Sequence, residues 1–225
     1  MWGLLALNVA VKLSLLGAAV FMLLNPDLPQ FENKSLTMRA ILYPVFAALV
    51  AIGFFWRRMP GPFPHLADFM WTFTFTFDIV SNDAHLYGSY KNYDDFVHFL
   101  NAFPYMFLLI GLLMAGQDLG YFRLGYAGIL IVAFLAFFAF HAVWETWEHS
   151  LDRFLGTTLQ PGGMAEATEN NAASVVGALL AIGILHFWRK SSFFQRYFYL
   201  PLRLYIVRLL RVRASKVPEK VGAAG

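Results

Sequence analysis

Six apolar stretches, each close to the roughly 20 residues that carry an α-helix across the hydrocarbon of a bilayer, dominate this chain. They run over about 2–24, 40–56, 66–86, 94–115, 124–149 and 169–188. Inside a bilayer, backbone N–H and C=O groups must be satisfied within the element itself, so each stretch reads as a helix. Thr72, Thr74 and Thr76 alternate with phenylalanine and imitate a strand, but an isolated strand cannot cross a membrane, and helix is the reading there too. The expected fold is therefore all-α, a polytopic membrane bundle of about six transmembrane helices. Of the 225 residues, 59% are hydrophobic and 14% charged, against about 25% charged in soluble domains. A separate soluble domain does not fit.

The first stretch ends at Asn25-Pro26-Asp27 with no small-residue cleavage pattern before it, so it is expected to remain as a span. Its one charge, Lys12, is expected to snorkel toward an interface. With the N-terminus cytoplasmic, twelve Lys and Arg residues fall on inside loops and the tail, from Arg57 and Arg58 to Lys220. Only Lys34, Arg39, Lys91 and Arg153 fall outside. That bias, nine-twelfths of it in the tail, places both termini in the cytoplasm. Residues 1–190 then form the six-helix domain and 191–225 a basic tail. Between Phe193 and Val212 the tail interleaves aromatic and aliphatic residues with arginine, which suits an amphipathic interfacial helix on anionic lipid. Pro201 is expected to kink or split it. The net charge of +3 thus follows membrane topology, and no nucleic-acid partner is expected.

This topology brings the polar ends of spans three to six to one side, expected to be the outer one. Asp78, Asn82 and His85 are spaced to share a helical face, as are Asp94, His98 and Asn101. His141, Glu145, Glu148, His149 and Asp152 form a stripe on span five, and Glu166, Glu169 and Asn170 open span six. Besides Asp152, eight of the fourteen acidic residues lie in these segments, Asp78, Asp83, Asp94, Asp95, Glu145, Glu148, Glu166 and Glu169, and Lys91 and Arg153 are the basic residues near them in sequence. Carboxylates so concentrated either protonate or bind a cation.

Carboxylates and imidazoles one helical turn apart can reach one ion together, as on the facing helices of carboxylate-bridged bundles. Asp94, His98, Glu145 and Glu148 are accordingly expected to ligate a divalent metal. His149 and Asp78 are assigned as additional ligands or acid–base groups. Oxygen and imidazole donors suit Mn, Fe, Zn or Mg, and with no cysteine in the chain a thiolate site is excluded. Simpler roles compete. Asp78, Asn82 and Asp83 could mark the end of a helix, and Asp94 or Asp95 could complement a helix N-terminus. Asn170 and Asn171, with Ala172, Ala173, Ser174 and Gly177, also read as a small-residue helix contact. Trp144 and Trp147 suit an aromatic belt. Glu145 and Glu148, at the expected C-terminal end of a helix, have no such simple role, since the helix dipole disfavours them there. His141 is open between an orienting role beside the metal and a core histidine, and His65 and His186 are assigned none.

The ordered segments Tyr93-Asp94-Asp95-Phe96-Val97-His98-Phe99, Trp144-Glu145-Thr146-Trp147-Glu148, Phe154-Leu155-Gly156-Thr157 and Glu166 to Gly177 resemble the motifs of the YjdF-like bacterial inner-membrane proteins. The resemblance spans about 78–177. It implies a small polytopic membrane fold and supports Asp94, His98, Glu145 and Glu148 as site residues. It implies no activity. The sequence departs from the pattern where Glu166 and Asn170 stand in place of two aspartates.

The function expected from these features is a metal-dependent enzyme acting on a lipid or another amphiphile, with membrane lipid as its partner. Two alternatives use the same cluster. One is a cation carrier with the cluster as its transport site. The other is a structural or accessory subunit, in a homo-oligomer or a larger membrane complex, with the cluster as a satisfied polar network.

Overall fold

The computed structural model describes residues 2–32, 36–56, 59 and 62–209, and among these it is built from helices and turns alone. The long helices are α1 (Trp2–Leu24), α2 (Leu36–Trp56), α3 (His65–Asp83), α5 (Tyr93–Asp118), α6 (Gly125–Leu155) and α7 (Gly163–Trp188). The short α4 (Leu86–Ser89) lies between α3 and α5. Five of the long helices, all but α3, are long and apolar enough to cross a membrane. The sixth expected span, α3, is more polar because protein surrounds it. Asp68, Thr72, Thr74, Thr76, Ser81 and Asn82 are all buried on it.

The bundle has two halves. In one, α1, α2 and α3 pack together around Leu15, Met22, Tyr43 and Ile79. In the other, α5 packs against both α6 and α7 around Met106, Ile110, Ile129 and Phe137. Contacts between α3 and α5 join the halves. Because successive long helices reverse direction, the last turns of α1, α3 and α6 and the first turns of α2, α5 and α7 meet at one end.

Two charges expected elsewhere are drawn into the bundle. Lys12 does not snorkel outward: its ammonium pairs with Asp68 at 3.0 Å and donates to Thr72 Oγ1 at 2.9 Å and the Ala47 carbonyl at 3.3 Å. Asn8 completes the group with a 2.7 Å hydrogen bond to Asp68, which is fully buried. An ammonium with three acceptors is far cheaper inside an apolar bundle than a bare one, and this group ties α1, α2 and α3 together. Arg39, expected in a loop, lies instead within α2, buried and paired with Asp78 at 2.9 Å.

The close of the chain also differs from its expected form. After α7, a short helix α8 (Ser192–Phe194), a π-helical turn at Gln195–Tyr199 and helix α9 (Leu200–Leu209) fold back on the bundle. Phe194, Phe198, Leu202 and Ile206 are buried in the core rather than spread on lipid. Gly111 of α5 makes this possible, since a Cβ there would lie 2.8 Å from Leu202 and 2.9 Å from Phe198. Pro201 is the second residue of α9, two positions past the end of the π-helical turn, so a residue with no N–H falls where the regular ladder has just been interrupted. The part of the expected amphipathic stretch beyond residue 209 lies outside the described residues.

Candidate metal centre

Helix α6 runs on to Leu155, so Glu145 and Glu148 lie well inside it rather than at its C-terminal end. His141, Glu145 and Glu148 share its buried face, as the spacing i, i+4, i+7 requires. Across from them, α5 presents Asp94 in its first turn and His98 one turn deeper. The approach of α7 to α5 is closest at Gly177, where a Cβ would lie 2.3 Å from the Phe99 carbonyl oxygen. That contact brings Ser174 and Asn170, one and two turns earlier on α7, against the same site.

Three side chains converge. His98 Nδ1 and His141 Nε2 are 2.9 Å apart, and Glu145 Oε1 lies 3.6 Å from the first and 3.7 Å from the second. Ligand atoms about 2.1 Å from one divalent ion are separated by roughly 3.0–3.4 Å in tetrahedral or octahedral arrangements, so this triangle has the size of a coordination face. His98, His141 and Glu145 are the group among the described residues whose donor atoms could hold an ion.

The neighbours of the triangle aim its lone pairs inward. Asn171 Nδ2 donates to the Ala167 carbonyl at 2.7 Å, which leaves its Oδ1, 3.1 Å from His141 Nδ1, to accept that nitrogen's proton. The tautomer this selects puts a lone pair on Nε2, facing His98 and Glu145, with Ser174 Oγ also 2.7 Å from that nitrogen. Asp94 Oδ1 lies 3.6 Å from His98 Nε2, on the far side of the ring from the triangle. It stands where a carboxylate orients a metal-binding histidine. Asn170 Nδ2 reaches Asp94 Oδ2 at 2.8 Å and Glu145 Oε2 at 3.4 Å. Gln160 Nε2 donates to the same Glu145 oxygen. The other oxygen, Oε1, is buried and accepts no hydrogen bond, and the side chain as a whole is 2% exposed. A buried carboxylate oxygen with no donor, facing two imidazoles, is costly unless a cation or a proton joins it.

Gln160 is a member that the sequence reading missed. Gly156, at φ +67°, ends α6 in a left-handed turn of the kind glycine permits. Asp152 then gathers the loop. It accepts from Thr157 Oγ1 at 2.5 Å, Leu159 N at 2.8 Å and Gln160 N at 2.6 Å, which turns the Gln160 side chain onto Glu145. The signal for it was the Asp152, Gly156, Thr157 spacing, a loop clamp rather than a ligand pattern.

The remaining expected site residues lie around this centre. Glu148 is buried and faces a cavity of about 1130 Å³, within electrostatic reach of Arg39. Asp78 belongs to a separate network. It accepts from Arg39 Nη1 at 2.9 Å, Tyr43 Oη at 2.8 Å, Tyr87 Oη at 2.7 Å and Asn82 Nδ2 at 3.3 Å. The basic partner comes from α2, distant in sequence. His149 is partly buried and takes no part in the hydrogen bonds of the centre. His85 stands beyond the end of α3 at φ +56°, so the expected stripe with Asp78 and Asn82 stops at Asn82, although His85 still lines the cavity.

The Gly177 contact makes a testable demand. Gly177→Ala is expected to push α7 from α5, lowering the thermal midpoint in detergent and weakening metal retention as Asn170 and Ser174 withdraw. Gly183→Ala, on the same helix with open space at its Cβ, is expected to change neither. Equal behaviour of the two variants would refute this account of the spacing.

No curated protein and no solved structure matches the chain. A family model described as a predicted membrane protein does, over residues 7–191, in keeping with the resemblance to the YjdF-like proteins. With most of its length so matched, the chain belongs to the membrane protein family DUF2238.

Proposed function

We propose that this protein is a membrane-embedded, metal-dependent enzyme acting on a lipid or another amphiphile. The observation that supports this most is the triangle of His98, His141 and Glu145, two of whose members, His98 and His141, line the polar end of an amphipathic cavity. Three protein donors leave coordination positions free, the arrangement of catalytic rather than structural metal sites. Two imidazoles and one carboxylate suit Zn, Fe or Mn better than Mg, which favours oxygen donors. Such an ion, when bound, supplies a Lewis acid or an activated water. Asp94 and Asn171 hold the two histidine rings, Gln160 and Asn170 hold Glu145, and Glu148 is placed to exchange a proton with a group in the cavity. With the Lys- and Arg-rich segments in the cytoplasm, the centre opens toward the outer side of a bacterial-type inner membrane.

The test combines elemental analysis with lipid mass spectrometry. Protein purified without chelator is expected to carry close to one divalent metal per chain. In nanodiscs made with a total bacterial lipid extract it is expected to change the mass of some lipid class, and a chelator should abolish the change. Metal-free protein after gentle purification would overturn the reading.

A further inference from the structure

The cavity beside the metal centre grades from polar to apolar along its length. Its polar end holds Arg39, Asp78, His98 and Glu148, and its deep lobe is walled by Phe46, Leu49, Trp71, Tyr105, Phe137 and Phe140. On α5 the lining residues His98, Asn101, Ala102, Tyr105 and Leu109 form one continuous stripe, spanning about 16 Å at 1.5 Å per residue. On α6 the stripe from Glu148 through Trp144, His141, Phe140 and Phe137 to Ala136 covers about 18 Å by the same rise. The apolar part of the α5 stripe, Ala102 to Leu109, accounts for about 10 Å of this, the length of roughly eight methylenes, running parallel to two membrane-spanning helices.

One side of the lobe is not closed by protein. Helix α2 packs on α1 and α3, and α6 packs on α5 and α7, so α2 and α6 face each other across the cavity. Phe46 and Leu49 of α2 and Phe140 of α6 line the lobe and are nevertheless 40%, 47% and 58% exposed. Both helices are apolar enough to cross the membrane, so the opening between them faces hydrocarbon. An apolar slot in a soluble protein could stay dry and empty. One open to a bilayer has acyl chains as its solvent.

We infer that the deep lobe between α2 and α6 is an acyl-chain site, entered sideways from the bilayer, which holds one chain of a membrane lipid so that its headgroup meets the metal centre. This rests on the proposed action on an amphiphile and narrows it to a chain-bearing lipid drawn from the membrane rather than from water. Dispersion contacts with the aromatic walls replace similar contacts with neighbouring lipid chains and so count for little against a hydrocarbon solvent. The lobe therefore selects by shape and length, and positions the head, more than it supplies affinity.

The experiment is photolabelling in nanodiscs of phosphatidylcholine doped with a phosphatidylcholine that carries a diazirine at the end of one chain. Labelled peptides are mapped by mass spectrometry, and metal content is measured on the same samples. Chains in the lobe are expected to label Phe137, which is 2% exposed, and Tyr105. Belt lipid labels the outer face of α6 at Ile131, Leu135 and Val143, which are 60%, 58% and 68% exposed. Ala136→Trp, filling the lobe from α6, should abolish the inner labels while sparing the outer ones and the metal. Leu49→Trp, filling it from α2, repeats the test should the first variant fail to fold. Labels confined to the outer face of folded, metal-loaded protein would overturn the acyl-chain site and leave the metal centre standing. Inner labels on metal-free protein would support the site and overturn the enzyme reading alone.

Discussion

On the proposed metal centre, replacing His141 with alanine is expected to strip the metal from the protein as completely as replacing His98 or Glu145. Each of the three supplies one vertex of the 2.9, 3.6 and 3.7 Å triangle, and two remaining donors seldom retain a divalent ion against buffer. Variants of the residues that only orient them should behave differently. Asp94→Ala, Asn171→Ala and Gln160→Ala leave the three donors in place but free a ring or a carboxylate to turn. Losses of this kind typically cost about 10–100-fold in metal affinity. Elemental analysis after dialysis against a graded series of a weak chelator separates the two classes. Glu145→Gln adds a further check, since it keeps the volume and the bond to Asn170 while removing the charge. It should lose the metal yet retain its fold, because a neutral amide is cheaper to bury than a carboxylate. Metal retained by His141→Ala, or lost equally by all six alanine variants, would dismantle this division of roles.

The same division shows how far the sequence could be read. Helical spans were legible because hydrophobic runs of membrane length have a single solution in a bilayer. The polar cluster was legible because carboxylates with few basic neighbours need an explanation. His98 and Glu145 stood out as chemistry within apolar helices. His141 could not be settled from the sequence, because what distinguishes a ligand from a core histidine is its surroundings. Those come from His98, 43 positions away, and from Asn171 and Ser174, 30 and 33 positions away. Asp94 could not be separated from a ligand for the same reason: sequence spacing puts it one turn from His98 but does not say on which side of the ring. Gln160 was invisible, being placed by a loop clamped on Asp152. Arg39 was misplaced because α2 begins before its hydrophobic run does, and the run was the only boundary visible. Lys12 was read as snorkelling because its partner, Asp68, lies 56 positions ahead on a different helix.

Arg39 carries the second large effect. Its guanidinium is 8% exposed and pairs with Asp78, 18% exposed, in a network that also takes in Tyr43, Tyr87 and Asn82. The network holds α2, α3 and α4 together at the polar end of the cavity, and Arg39 is within electrostatic reach of Glu148 there too. Removing one partner of a buried ion pair leaves the other charge uncompensated, at a cost of about 3–5 kcal/mol in buried sites. Arg39→Met is therefore expected to lower the thermal midpoint in detergent sharply. Asp78→Asn should cost less, because the amide oxygen that replaces the carboxylate still accepts from Arg39, Tyr43 and Tyr87. The double variant Arg39→Met, Asp78→Asn should recover most of the loss of Arg39→Met, since the buried charge at position 78 goes with its partner and the amide oxygen still accepts from the tyrosines. Metal content discriminates further. The Asp78 network does not touch the triangle of His98, His141 and Glu145, so the double variant should keep its metal while its cavity mouth loosens. A double variant no more stable than Arg39→Met would mean that the stabilising role of Arg39 does not run through the Asp78 charge. Loss of metal in a folded double variant would place Asp78 inside the centre, as an additional ligand or acid–base group.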